Sequence, residues 1–182
     1  LLKQYREKRD FTRTPEPAGK PTSRRSRQPW FVIQKHAATS LHYDFRIEVD
    51  GVLKSWAIPK GPSTNPQDKR LAMPTEDHPM AYRHFEGEIP EGSYGAGSVI
   101  VWDTGTYRNV TEKNGAAIPV SEALRQGHLK IRLEGVKLKG AYALTRTSRK
   151  PERWLLVKMR DAEASRKNIT KTSPASVLTG RA

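Results

Sequence analysis

The chain has 182 residues with 33 Lys and Arg against 19 Asp and Glu, and no cysteine. That length suits one domain, and the missing thiols exclude a disulfide framework, a thiolate nucleophile and a thiolate metal site, leaving His, Asp and Glu as metal ligands. The formal net charge of +14 points to a polyanionic partner. Its distribution is uneven: residues 1–28 hold nine cations against three acids and residues 145–182 ten against three, whereas the middle is almost balanced.

Residues 1–29 are rich in Arg, Lys, Pro, Ser and Thr, with Pro15, Pro17 and Pro21 interrupting any helix. They read as a basic arm in which Leu1–Lys8 forms one or two helical turns. A first strand is predicted over Trp30–Lys35. From Leu41 to Val49 apolar and polar residues alternate, which defines a strand with one face on a core. Leu41, Tyr43, Phe45, Ile47 and Val49 share the apolar face, and His42, Asp44, Arg46 and Glu48 share the other.

Asp50-Gly51 predicts a two-residue type I′ hairpin, because both positions need positive φ. The return strand Val52–Ile58 then sets Val49 against Val52, Phe45 against Trp56 and Tyr43 against Ile58. On the polar face Arg46 meets Ser55 and Asp44 meets Ala57, and such small partners leave space above the carboxylate. Pro59–Ser63 ends the hairpin. Arg70–Thr75 reads as a short strand, Glu76–Pro79 as a turn, Tyr82–Ile89 as an aromatic and acidic stretch, and Pro90–Gly97 as a glycine-rich loop. Ser98–Asp103 is predicted as a buried strand, Asp103–Gly105 as its turn and Thr106–Val110 as its partner. Ser121 is the expected N-cap of a short helix through Gln126 that Gly127 ends. Strands follow at His128–Leu133, Gly140–Arg146 and Trp154–Met159.

Many short strands with few helices indicate a mainly β fold, a single closed or nearly closed barrel with one or two short helices. The expected organisation is a basic arm over 1–29, a barrel domain over 30–160, and a basic tail or interdomain linker over 161–182. No apolar run approaches the roughly 20 residues of a membrane span, and no signal-peptide pattern opens the chain. A cytoplasmic monomer is expected. The first residue is Leu rather than Met, as in a chain processed or cut from a longer one.

The polar face of the Leu41–Val49 strand carries an imidazole, a carboxylate and a guanidinium in order, with His36 a short way upstream. Three readings fit. In one, His42, Asp44 and a distal His78 form the 2-His-1-carboxylate set of a metal oxygenase. In a second, His36, His42 and Asp44 hold the metal while Arg46 and His78 face a substrate. Arg46 then lies about 7 Å along the strand from Asp44, placing a guanidinium one substrate width from the metal, where it could fork onto phosphoryl oxygens. In the third, the histidines are satisfied polar residues and Asp44–Arg46 is an exposed ion pair. A runner-up from another class is a non-catalytic DNA-end adaptor that keeps the barrel and the basic tails. Glu48 ends the same face and reads as its outer rim.

Several blocks carry a resemblance. FVIQKH (Phe31–His36), LHYDFR (Leu41–Arg46), GVLKSWAIPKGPS (Gly51–Ser63), EDHP (Glu76–Pro79), FEGEIP (Phe85–Pro90), GSYGAG (Gly92–Gly97) and VWD (Val101–Asp103) occur in that order. Together they resemble the 3′-phosphoesterase module of bacterial DNA ligase D and its free-standing relatives. KRDF (Lys8–Phe11) and TPEP (Thr14–Pro17) resemble the family's arm, and SVLTGR (Ser176–Arg181) resembles the linker before the ligase domain of the fused enzymes.

The resemblance implies a manganese-dependent enzyme of nonhomologous end joining. Such an enzyme acts on DNA or DNA–RNA primer-template 3′ ends, beside ligase and polymerase domains in cis or in trans. It removes a terminal ribonucleoside and then the remaining 3′-phosphate, leaving 3′-OH. By position, His36, His42 and Asp44 match the Mn²⁺ ligands, Arg46 and His78 the phosphate-gripping pair, and Tyr82 an essential tyrosine. Gln34, Lys60, Arg70 and Glu76 match further active-site positions, and Arg9, Asp10 and Glu16 match arm residues of the ribonucleoside step. Glu134 is the best match to a family glutamate in the later strands.

Overall fold

The Asp50–Gly51 turn fixes the register of the central hairpin. Both residues take left-handed backbone angles, φ 52° and 82°, as a two-residue turn between twisted strands requires. The structure is a computed structural model and describes residues 2–19 and 28–182. Part of the expected arm, residues 1 and 20–27 with Pro21 among them, lies outside the described residues.

The chain begins with α1 (Lys3–Glu7), then β1 (Trp30–Ala37), β2 (Leu41–Val49) and β3 (Val52–Ile58). The β2–β3 pairs are those that the alternation predicts, with Arg46 opposite Ser55 and Asp44 opposite Ala57. β4 (Arg70–Pro79), a 3-10 turn over Met80–His84, β5 (Gly87–Ile89) and β6 (Gly97–Asn109) follow. A small hairpin of β7 (Glu112–Lys113) and β8 (Ala116–Ala117) leads into α2 (Val120–Gln126). The chain continues through β9 (His128–Gly135), β10 (Lys139–Arg149), β11 (Glu152–Lys158) and α3 (Ile169–Thr172).

Strand order is β1-β2-β3-β4-β11-β10-β9-β6, and a further β1–β6 pairing closes this ring into an antiparallel barrel. β5 pairs with β6 outside the ring. The barrel interior is filled by Phe31, Phe45, Trp56, Trp102, Tyr142, Leu144 and Trp154, among others, each worth about 1.5–3 kcal/mol of burial for an aliphatic or aromatic side chain. A second cluster lies on the outside of β1, β3 and β6: Tyr5, Val32, Leu53, Tyr82, Phe85, Ile89, Val99 and Val101. The arm and the segment around the 3-10 turn cover that face. The polar face of β2 is therefore not a solvent face, and Asp44, Arg46 and Glu48 are all buried. Glu48 is no rim residue, since its carboxylate accepts the Trp30 backbone N–H at 3.0 Å.

Three local expectations are corrected. Glu76–Pro79 is the end of β4 rather than a turn, and the β3–β4 register shifts between Leu53 and Ser55. That bulge re-aims Glu76 while His78 stays opposite Leu53. Asp103-Thr104-Gly105 is not a turn either, because β6 continues through it, with a register shift against β1 just before it. The Asp103 carboxylate accepts backbone N–H groups of Thr104, Val136, Lys137 and Leu138 and so organises the neighbouring β9–β10 connection. Gly105 is needed for close approach, since a Cβ there would sit 2.0 Å from the Glu134 carbonyl oxygen. Finally, α2 begins one residue before Ser121, with Pro119 at the N-cap and no side-chain cap. Its C-cap is Gly127 at φ 86°, as predicted.

The 161–182 segment returns along the barrel. Between its pairings with β5 and β9, β6 has an open edge, and there Val177 N–H donates to the Val101 carbonyl at 3.0 Å. The Glu86 carboxylate accepts from Val101 N–H on the same stretch and from the Ser176 and Thr179 hydroxyls of the tail.

Candidate active site

Antiparallel pairing of β1 with β2 puts His36 directly opposite His42 and Gln34 opposite Asp44. The period-two pleat then aims all four side chains, with Arg46, out of the same face. His42 Nε2 lies 3.2 Å and His36 Nδ1 3.6 Å from Asp44 Oδ2. One donor atom from each of the three residues lies within 4.8 Å of the other two.

The remaining ring nitrogens are engaged. His36 Nε2 meets the Gly95 carbonyl at 2.6 Å and His42 Nδ1 meets the Ser40 carbonyl at 3.1 Å. A carbonyl only accepts, so each of these nitrogens carries the proton, and His36 Nδ1 and His42 Nε2 present lone pairs. Two lone pairs and a carboxylate oxygen converging on one point repel one another unless a proton or a cation stands between them. Two imidazoles and a carboxylate are a donor set that fits a divalent metal ion. The proton is the competitor, because the Asp44 carboxylate raises the His42 pKa above its usual value. Burial alone would push the Asp44 carboxyl up. Arg46, with the two imidazoles, outweighs that and holds it well below the usual carboxylate range.

Arg46 is the next layer. Its Nη2 lies 3.5 Å from Asp44 Oδ2, its Nε donates to Gln34 Oε1 at 2.7 Å, and its Nη1 is 3.1 Å from His78 Nδ1. Gln34 is itself fixed, because its amide donates to the Tyr82 and Phe85 carbonyls at 2.8 and 3.1 Å. The guanidinium stacks on Tyr82, 4.9 Å from the ring centroid. His78 is buried, with Nδ1 also 2.9 Å from the Glu76 carbonyl and Nε2 3.3 Å from Arg9 Nη2. Burial first, and then Arg46 and Arg9, holds its pKa well below 6.5, so the free site contains neutral His78.

The arm closes the far side. Arg9 donates to Glu16 at 2.9 Å and to Glu76 at 3.0 Å and stacks on Tyr5. Tyr82 donates its hydroxyl to Glu16 Oε2 at 2.6 Å. Tyr5 is fully buried against Tyr82 and His78. Between arm and wall a cleft of about 190 Å³ remains, reaching His36, His42, Asp44, Arg46, His78 and Arg9. Ala57 lines it, as the small neighbour that the hairpin register placed opposite Asp44.

Of the sequence-predicted site residues, His36, His42, Asp44, Arg46, His78, Tyr82, Gln34, Glu76, Arg9 and Glu16 come together here. Lys60 and Arg70 do not line this cleft. They face a separate hollow of about 420 Å³ at the β3–β4 connection, where Arg70 pairs with Asp68 at 3.6 Å. Asp10 is exposed and accepts from Thr12 within the arm's own turn, at 3.0 Å from the amide and 2.6 Å from the hydroxyl. Glu134 is exposed on β9 beside Arg132. Sequence reasoning missed Tyr5, Lys8 and Tyr94. Lys8 reaches Glu76 at 3.2 Å and the Tyr94 hydroxyl at 3.5 Å. The one available signal was the tyrosine inside a glycine-rich loop, where Gly95 at φ 75° turns its carbonyl onto His36.

The fold and site thus define a closed β-barrel with a candidate His–His–Asp metal site beside a buried arginine. Residues 34–146 match the DNA ligase D 3′-phosphoesterase domain, and the chain belongs to that family. It is 48% identical over 186 residues to the multifunctional non-homologous end joining protein LigD of Pseudomonas aeruginosa, covering 99% of this chain and 21% of that protein. Against the multifunctional non-homologous end joining DNA repair protein LigD of Mycobacterium tuberculosis it is 45% identical over 162 residues, covering 88% of this chain and 20% of that protein. The chain thus spans about a fifth of the length of these relatives.

Proposed function

We propose that this domain is a Mn²⁺-dependent phosphoesterase that heals DNA 3′ ends in nonhomologous end joining. It removes a 3′-terminal ribonucleoside to leave a 3′-phosphate, and then releases that phosphate as inorganic phosphate to leave 3′-OH. The observation that carries this reading is Arg46 on the same strand face as the His36–His42–Asp44 cluster, 3.5 Å from the carboxylate. A cation held there would supply Lewis-acid polarisation of a phosphoryl oxygen and a nucleophile at neutral pH.

The protein's own groups do the rest. Arg46, locked by Gln34 and Tyr82, presents a preformed guanidinium to two phosphoryl oxygens and meets the negative charge that grows in the transition state. His78 is neutral before substrate binds. A bound phosphate brings anionic charge beside it, favours its protonated form, and so lets it supply a proton to the leaving oxygen. Tyr82 acts through its ring and its bond to Glu16, positioning Arg46, His78 and the arm rather than offering a free hydroxyl. Arg9 and Glu16 serve the ribonucleoside step from the arm, with Asp10 acting by shaping the arm's turn. Lys60 and Arg70 bind nucleic acid beyond the cleft.

The activity fits a module working in the cytoplasm as a monomer, with ligase and polymerase domains in cis or in trans. The test is product analysis on a primer-template ending in one ribonucleotide, incubated with Mn²⁺. The reading requires a shortened primer with 3′-phosphate that converts to 3′-OH, and release of the ribonucleoside. Absence of both products rejects it. Asp10→Ala should slow ribonucleoside removal more than phosphate removal, and equal slowing would contradict the division of labour.

A further inference from the structure

Tyr94 stands apart from every other aromatic in the protein. Among the described residues it is the one Phe, Tyr or Trp that is exposed, at 48%, while lining the cleft. The neighbouring Gly95 carbonyl meets His36 Nε2 at 2.6 Å, so the loop that carries Tyr94 is tied to the candidate metal centre, and both line the same cleft. Lys8 Nζ and Arg9 Cζ lie over it at 4.9 and 5.3 Å from the centroid. Both cations also bind Glu76 in the cleft wall.

A single exposed aromatic is ordinary on a protein surface, but this one lines the cleft that holds Arg46 and lies beside two cations. Its chemistry suits a nucleotide, whose base stacks on the π-face while its phosphate meets the adjacent cations. The ring shares the lining of the cleft with Arg46. We propose that Tyr94 is the stacking platform for the base of the terminal nucleotide and so sets how the 3′ end is seated. Stacking is sequence-tolerant, because every base has a π-face, so Tyr94 selects for the presence of a terminal base and not for its identity. This proposal rests on the 3′-end reading given above.

The test is an equilibrium binding cycle in EDTA, so that no turnover intervenes. Two 3′-phosphate primer-templates are used, one with a terminal adenine and one with a terminal abasic site. Wild-type protein should bind the abasic primer about tenfold more weakly, equivalent to about 1.4 kcal/mol. Tyr94→Ala should lose the same tenfold on the adenine primer and little further on the abasic one, and Tyr94→Phe should behave as wild type. Losses that simply multiply, or no preference for the base in wild type, overturn the proposal. A merely structural role predicts equal loss on both primers. Phosphate release from the same primers after Mn²⁺ addition reports separately on the proposed function, so a stacking signature without release would sink only that reading.

Discussion

Arg9 Nη1 and Glu76 Oε1 meet at 3.0 Å, and through this contact an arm residue becomes part of the barrel wall. Both side chains are almost wholly buried, and Glu16 shares the same guanidinium at 2.9 Å. The arm is thus a built layer of the site rather than a basic tail that happens to lie near it.

Replacing Arg9 by Ala would strand the Glu16 and Glu76 carboxylates without their common partner. Breaking a buried pair from one side costs about 3–5 kcal/mol. Arg9→Ala should therefore lower the unfolding midpoint in urea and expose the arm to proteolysis. Lys8→Ala, whose side chain is 41% exposed on the same Glu76, should cost under about 1 kcal/mol. Equal effects would show that the two cations are not distinguished by burial.

Gln34 does not line the open cleft, and its side chain bonds the Tyr82 and Phe85 carbonyls and Arg46 Nε, the last at 2.7 Å. Gln34→Ala should lower kcat by up to ~100-fold, as a displaced transition-state contact does, with a much smaller change in KM. A rise in KM alone would mean that Arg46 only binds substrate.

The half-buried His42 and the buried His78 shift in opposite directions. The Asp44 carboxylate raises His42, whereas burial with Arg46 and Arg9 lowers His78. As pH falls through 6.5, His42 takes its proton first and His78 stays neutral. That proton occupies the Nε2 lone pair, so Mn²⁺ affinity should fall on acidification. NMR titration of the ring nitrogens in metal-free protein checks the order, and His78 protonating before His42 would contradict it.

The tail makes a stability prediction. Glu86 joins the Ser176 and Thr179 hydroxyls to the open edge of β6, and hydrogen bonds to a charged group contribute about 1.5–3 kcal/mol. Glu86→Ala should lower Tm, and truncation after residue 160 should lower it at least as much. Unchanged melting in both variants would mean that the tail does not stabilise the barrel.

Alternation in Leu41–Val49 and the Asp50-Gly51 turn made the central hairpin legible down to individual pairs, because a two-residue turn leaves no freedom of register. The same pattern put His42, Asp44 and Arg46 on one face. What alternation cannot show is what covers that face. A polar strand face reads as solvent-exposed, whereas here Tyr5, Arg9 and Glu16 arrive from a proline-interrupted arm with no periodicity to read. Asp103 misled for a related reason. Asp-Thr-Gly has turn chemistry, but the carboxylate accepts from a neighbouring connection and its own strand continues unbroken. Asn114-Gly115, with φ 54° and 79°, was a readable hairpin signal that went unused. Lys60 and Arg70 entered by resemblance alone, and the fold sets them in a hollow of their own.

The central claim is that His36, His42 and Asp44 hold the cation beside which Arg46 grips a terminal phosphate. Its most direct test is inorganic phosphate release from a 3′-phosphate primer-template by EDTA-treated protein, before and after Mn²⁺ is restored, with Asp44→Ala in parallel. The account predicts no release in EDTA, recovery with Mn²⁺ for the wild type, and none for a folded Asp44→Ala variant. Full release in EDTA, or a variant as active as the wild type, would contradict it.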